Sequence, residues 1–393
     1  MLYNTLLILF ILICLGLVIA YFRESKHRRQ PYFKFPAEAQ PASLSNLAKP
    51  IHSVALIGDP GNITDSENDP IMKLLRRWMT FAGEAGTIII LGDNIYPKGL
   101  PAKDDYKRAN AELKINAQLQ VLNEHKGRTI YLSGNHDWNR GRKNGFSYLM
   151  RQQDYITNYL QDAESYLPLN GCPGPVSVEL TPGLQLIIIN TQWWVQRGLR
   201  PIGKQYGCTV DTEEDFFKEL KALLDANKEK QVLIAAHHPL YSNAQHGGKF
   251  NLKQHVFPLT AANKRFLIPL PVAGSIYPMY RKYIGAYEDM SHPRYRHMRR
   301  QLLTLLHQYN NLIYAAGHDH NLQYFPVKGN HYLVSGSASK TTFVKKGGKA
   351  AFTHEHRGFF TIDFYEKEVW LRALEPNLLL ENHPEVVYQR KLV

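Results

Sequence analysis

An α/β sandwich preceded by one apolar helix is the fold the sequence predicts, and three observations predict it. The chain has 393 residues, 44% of them hydrophobic, enough to bury a large core. Short apolar runs alternate with segments of helical periodicity along most of its length. An uncharged stretch at the N-terminus stands apart in composition from everything after it.

That stretch comes first. "LLILFILICLGLVIAYF" (Leu6 to Phe22) has 17 residues and no charge, near the lower limit for crossing a bilayer. It lacks a charged leading segment and a small-residue cleavage site, so residues 1–22 read as a membrane anchor or an uncleaved signal. The following "RESKHRR" would, by the positive-inside rule, keep the domain cytoplasmic. Residues 23–50 are polar, Pro-rich and without periodicity, and read as a linker.

The domain, residues 51–375, then unfolds in order. "HSVALIG" reads as a buried strand, "PIMKLLRRWMTFAG" as a helix, "TIIILG" as a strand, "YKRANAELKINAQLQVLNEH" as a helix and "RTIYLSG" as a third strand. "LQLIIIN", "QVLIAAHH", "NLIYAAG" and "HYLVSG" are further strands, with "EEDFFKELKALLDAN" and "YRHMRRQLLTLLHQY" as helices. "GFFTIDFYEKEVWLRAL" reads as a closing hairpin, and residues 376–393 as a C-terminal tail. Outside the apolar stretch only Cys172 and Cys208 remain. They can be a disulfide, which requires an oxidising compartment, or two unpaired thiols; residue order alone leaves both open.

Reactive side chains recur just past apolar strands, at the edge where open α/β sheets build their sites. "IGDPGN" gives Asp59, "LGDNIY" gives Asp93 and Tyr96, and "SGNHDW" gives Asn135 and His136. "AAHHP" gives His237 and His238, and "AGHDHN" gives His318 and His320. An Asp after Gly at a strand end is usually a turn or a helix cap, and a lone histidine there is usually a satisfied polar residue. Carboxylates, imidazoles and an amide converging on one edge instead point to bound metal.

This ordered set resembles the calcineurin-like metallophosphoesterase superfamily, and within it the purple acid phosphatases of the small, tartrate-resistant type. The resemblance covers roughly residues 51–340 and implies a metallophosphoesterase-type α/β/β/α sandwich. Most of the superfamily has a histidine two residues after the first Asp; here the order is Asp59-Pro60-Gly61. The resemblance assigns the missing ligand to Tyr96, whose phenolate, like a carboxylate, is a hard donor suited to a trivalent ion. Asp59, Tyr96 and His320 would hold Fe(3+). Asn135, His237 and His318 would hold a divalent zinc, iron or manganese, with Asp93 bridging. Proline two residues on selects His237 over His238. Metal-bound hydroxide would attack the phosphorus of a phosphate monoester, His136 would donate the proton, with Asp137 a candidate to orient it, and His246 in "SNAQHGG" would face the phosphate.

Net charge is +13, which favours anionic partners. The reading selects a small phosphorylated substrate and the membrane, and no nucleic acid; it sets no oligomeric state. The same metal pair serves phosphodiesters of nucleotides or lipid heads, a second possibility. A membrane-anchored binding protein with a degenerate site is a third, but no expected ligand is missing. From Gly247 to Arg300 there are ten Lys and Arg against two acids, Glu288 and Asp289. This basic, aromatic-rich stretch reads as an insertion beside the site. The family likeness to exported enzymes and the loop cysteines place the domain in a periplasmic or extracellular space, against the positive-inside rule.

Overall fold

Two sheets stack face to face because several of their strands are apolar on both sides. The computed structural model describes residues 2–28, 30–36, 42–261, 266, 268, 270, 273–376 and 385–393. Parts of the expected linker (29, 37–41), insertion (262–265, 267, 269, 271–272) and tail (377–384) lie outside the described residues.

The first sheet has a parallel half, β2 (His52–Ile57), β3 (Gly86–Ile90) and β4 (Arg128–Tyr131). Antiparallel β12 (Phe359–Phe364), β13 (Val369–Leu374) and β14 (Val386–Lys391) extend it in the order β14-β13-β12-β2-β3-β4. The second sheet is built around parallel β6 (Leu184–Ile188), β7 (Gln231–Ala235), β8 (Ile313–Ala316) and β10 (Asn330–Ser335). It is completed by β5 (Val176–Thr181) on one side and by β9 (Leu322–Val327), β11 (Phe352–His354) and β1 (Tyr32–Phe33) on the other.

Strand alternation sorts the core into three layers. Val54, Leu56, Ile89 and Leu91 point between the sheets, toward Leu186, Ile188, Leu233 and Ile313. Their neighbours Ala55, Ile57, Ile88 and Ile90 point outward, against α2 (Pro70–Ala82), α3 (Arg108–Leu122) and α4 (Gly145–Leu160). On the far side, Ile187, Val232 and Ile234 pack under α6 (Glu213–Ala226) and α9 (Pro293–Leu306). The result is the α/β/β/α sandwich, and it explains the uninterrupted "TIIIL" and "LIIIN" runs, since strands covered on both faces need apolar residues throughout. Local signals set the helix starts: Asp69 accepts from Ile71 N at 2.8 Å ahead of Pro70, and Thr212 caps α6 through Asp215 N at 3.1 Å.

The chain departs from the sequence expectations at its ends. The N-terminal helix α1 runs Leu2–Arg28, so the basic cluster continues the helix instead of opening the linker. Lys, Arg and Glu are good helix formers, and nothing in "RESKHR" breaks the turn. In the tail, β14 pairs with β13, with Val386 and Tyr388 fully buried. The chain joins Cys172 to Cys208 in a disulfide. The two parallel strand sets are tied where they end, since Gly58 N after β2 donates to Ser335 O of β10 at 2.8 Å, and within the second set Gly317 N donates to His237 O at 3.1 Å. Loops leaving five strands therefore meet on one edge.

Candidate metal centre

Three of the strand-end residues adopt a backbone that L-residues avoid: Asp59, Asp93 and His318 have φ of 60°, 58° and 71°. Such strain persists only where surrounding structure enforces it, and it gathers at functional sites. Here it turns carboxylates and imidazole inward. Glycines make the room. A Cβ on Gly134 would lie 2.3 Å from Asp93 Oδ1, and one on Gly317 or Gly336 would lie 2.7 Å from Asp59 Oδ2.

Two groups of donors result. In the first, the buried Tyr96 hydroxyl lies 2.7 Å from Asp59 Oδ1, 3.1 Å from Asp93 Oδ2 and 3.1 Å from His320 Nε2. In the second, Asn135 Oδ1 lies 3.0 Å from His237 Nε2 and 3.1 Å from His318 Nδ1, and those nitrogens are 3.2 Å apart. Asp93 lies between the groups: its Oδ1 is 3.5 Å from His237 Nε2 while its Oδ2 faces Tyr96. All seven residues expected as ligands are thus brought together.

Proton counting shows what the groups lack. His237 Nδ1 lies 2.8 Å from the Leu91 carbonyl and His318 Nε2 lies 2.8 Å from the Glu288 carbonyl, so both of these nitrogens carry hydrogens. Burial holds His318 well below the usual imidazole range, leaving it neutral. The His318 nitrogen that faces Asn135 Oδ1 is then a bare lone pair facing another, an arrangement that calls for a cation. The first group is no better supplied, for Tyr96 has one proton to share among three acceptors. Burial, then the charge of Asp93, pushes Asp59 up to about 7. Burial and both carboxylates push the Tyr96 phenol far up. Both are what a carboxylate cluster does without its counter-ion. The donor set fits a pair of metal ions.

His136 sits beside this pair. Its Nδ1 donates to Pro97 O at 2.7 Å, leaving Nε2 3.8 Å from Asp93 Oδ2. The orienting partner is therefore this carbonyl, and the expectation for Asp137 is corrected. Asp137 accepts instead from Gly134 N (2.7 Å), Asp93 N and Asn94 N (2.9 Å each), clamping two ligand loops together. His246 stacks on His318, with ring centroids 4.1 Å apart, and its Nδ1 meets Asp289 Oδ1 at 3.0 Å. His238 lies close enough to group with His237 and His318, but its Nδ1 meets Thr191 Oγ1 at 2.9 Å and its ring faces Tyr295.

Four residues that the sequence reading missed complete the picture. Lys340 sets its ammonium 3.4 Å from the centre of the Tyr96 ring; burial lowers its affinity for a proton, against the pull of Asp59 and Asp93. Asp319, between the two histidines of "HDH", accepts from Ser242 Oγ at 2.5 Å and from His246 N at 3.4 Å, pinning the His246 loop. Glu288 accepts from Asn135 Nδ2 at 3.0 Å, and Asp289 is fully buried beside Arg281 and His246. Both acids of the basic insertion thus turn to the site. The only hint available in advance was their isolation among ten cations.

Residues 52–357 match the family described as calcineurin-like phosphoesterase. The chain belongs to that family. No curated protein matches this phosphoesterase chain. Among solved structures, one described as GAP50, the anchor in the inner membrane complex of Plasmodium, is 17% identical with a TM-score of 0.51, over 86% of this chain and 88% of that one. A structure of PhoD is 11% identical with a TM-score of 0.52, over 90% and 73%. A dimetal phosphatase from Danio rerio is 12% identical with a TM-score of 0.46, over 88% and 99%. At such identities the likeness to the GAP50 and PhoD structures is one of fold.

Proposed function

We propose that this phosphoesterase is a purple-acid-phosphatase-like phosphomonoesterase, tethered to a membrane by α1 with its domain on the oxidising side. The observation that carries the reading is the Tyr96 hydroxyl, gathered with Asp59, Asp93 and His320 in one buried cluster. Three anionic oxygen donors and one imidazole suit a hard trivalent ion such as Fe(3+). Asn135, His237 and His318 supply one oxygen and two nitrogens, suited to divalent zinc, iron or manganese, and Asp93 reaches both groups. Bound there, such a pair contributes Lewis acidity, polarising the phosphoryl group and offsetting charge on attacking and leaving oxygens.

The remaining roles fall to the protein. His136, held by its Nδ1, donates a proton from Nε2 to the leaving oxygen. His246, fixed by Asp289 and Asp319, offers Nε2 to a phosphate oxygen. Lys340 over the Tyr96 ring, and Arg140, whose Nε lies 3.7 Å from Glu288 Oε1, add positive charge around the site and draw the anion in. The Cys172–Cys208 disulfide supports a periplasmic or extracellular domain, because such bonds persist in oxidising compartments.

Turnover of nitrophenyl phosphate, an alkyl phosphate and bis-nitrophenyl phosphate by the purified full chain tests this. Higher kcat/KM for the monoesters supports it. Faster diester cleavage would favour the diesterase, and metal binding without turnover would favour a binding protein.

A further inference from the structure

The helix α8 (Ile276–Tyr283) is built inside out. Its Arg281 points into the domain, where Nε donates to buried Asp289 at 2.9 Å, while its apolar side faces outward. Ile276, Met279, Tyr283 and the following Ile284 are 68%, 55%, 62% and 63% exposed, and their spacing puts them on one helix face. Phe266 and Ile268, just before it, are also half exposed. An apolar face presented outward by a helix whose charged side is buried marks an interaction surface.

What covers it is argued from its neighbour. The short α7 (Leu252–Val256) begins at the end of α1: Leu252 N donates to the Glu24 carboxylate at 3.2 Å. Lys346 Nζ donates to His27 O one helical turn further on. From α7 the path to α8 is short, because Leu270 N donates to Val256 O at 2.8 Å and His255 Nδ1 meets Ser275 Oγ, the residue before α8, at 3.0 Å. The apolar face of α8 is therefore continuous with the segment that leaves the candidate membrane span Tyr3–His27. Its composition suits a bilayer surface: tyrosines and aliphatics settle at the headgroup boundary, and a surrounding excess of Lys and Arg is drawn to anionic lipid.

We infer that the 247–300 insertion rests on the lipid surface of the bilayer that α1 enters, with α8 seated in the headgroup layer. This rests on reading α1 as an inserted anchor. It also has a consequence for the site. Arg281 of the lipid-facing helix holds Asp289, which holds His246, so the site mouth is coupled to the membrane surface through two side-chain contacts.

The test uses the full chain with Cys14→Ser, leaving the disulfide oxidised. Single cysteines, Ile276→Cys, Ile284→Cys or Ile11→Cys, carry an environment-sensitive fluorophore. The protein is reconstituted into phosphatidylcholine–phosphatidylglycerol vesicles with lipids spin-labelled near the headgroup or deep in the chain. The expected result is a loss of fluorescence at positions 276 and 284 with the shallow label, and at position 11 with the deep label. Loss at 11 with none at 276 and 284 would overturn the inference while leaving the anchor intact. No loss at 11 would overturn the anchor reading and this inference with it.

Discussion

At the scale of single residues, the centre is organised by which atom each histidine has already committed. Backbone carbonyls of Leu91, Glu288 and Pro97 occupy one nitrogen of His237, His318 and His136 respectively, leaving the other nitrogen to the site. Such outer partners fix ring orientation and protonation together. For His136 this leaves Nε2 toward the site, as the proposed proton-donor role requires. His136→Ala should leave metal content unchanged and lower kcat by roughly 10²–10⁴-fold, the range for a lost general acid. The loss should shrink for nitrophenyl phosphate, whose leaving group needs no proton. Metal analysis with kcat on alkyl and aryl phosphates checks this, and an equal loss on both would rule out the donor role. Asp59, Asp93, Asn135, His237, His318 and His320 were legible because each stands two to four residues beyond an apolar strand. Lys340 and Glu288 were not, since they reach the site through contacts between segments far apart in sequence, and Asp319, three residues beyond β8, turns to Ser242 between the two histidines it separates.

At the scale of elements, the parallel strands fix the centre more than the helices do. Successive strand ends place Asp93 and Gly134 side by side, so close that only a glycine fits at the second position. Gly134→Ala should push Asp93 off position and weaken metal retention by roughly 10- to 100-fold, the usual penalty for disturbing a ligand's support. Chelator competition measures it, and unchanged retention would show that Asp93 does not bridge the groups. Elements with continuous apolar runs or a period-3.6 pattern were readable, β2, β3, β6 and α6 among them. Helix α4 was passed over although "GFSYLMRQQDYITNYL" is amphipathic, and no side-chain cap at Asn144 marks its start. Helix α8 defeats pattern reading for a physical reason: its buried side holds Pro278 and Arg281, the latter satisfied by Asp289, while Ile276, Met279 and Tyr283 face out.

At the scale of the whole molecule, two sheets with helices outside bring the carboxyl ends of both parallel sets to one edge. That edge holds every expected ligand, and the insertion reaches it through Glu288 and Asp289 while its α7 meets the end of α1. The family and the fold were legible because five motifs occur in the right order. The disulfide was not, since pairing depends on loop positions that residue order does not set. The tail's β14 escaped notice because only Val386, Val387 and Tyr388 are apolar before Gln389, Arg390 and Lys391. The ferric ion proposed for Tyr96, within a two-metal site, is open to a direct test. The most direct measurement is the visible absorption spectrum of the oxidised full chain, taken with its metal content and repeated for Tyr96→Phe. The account predicts iron plus a second metal, a phenolate-to-iron charge-transfer band, and loss of that band in the variant. A colourless, fully active protein containing only zinc or manganese would contradict it.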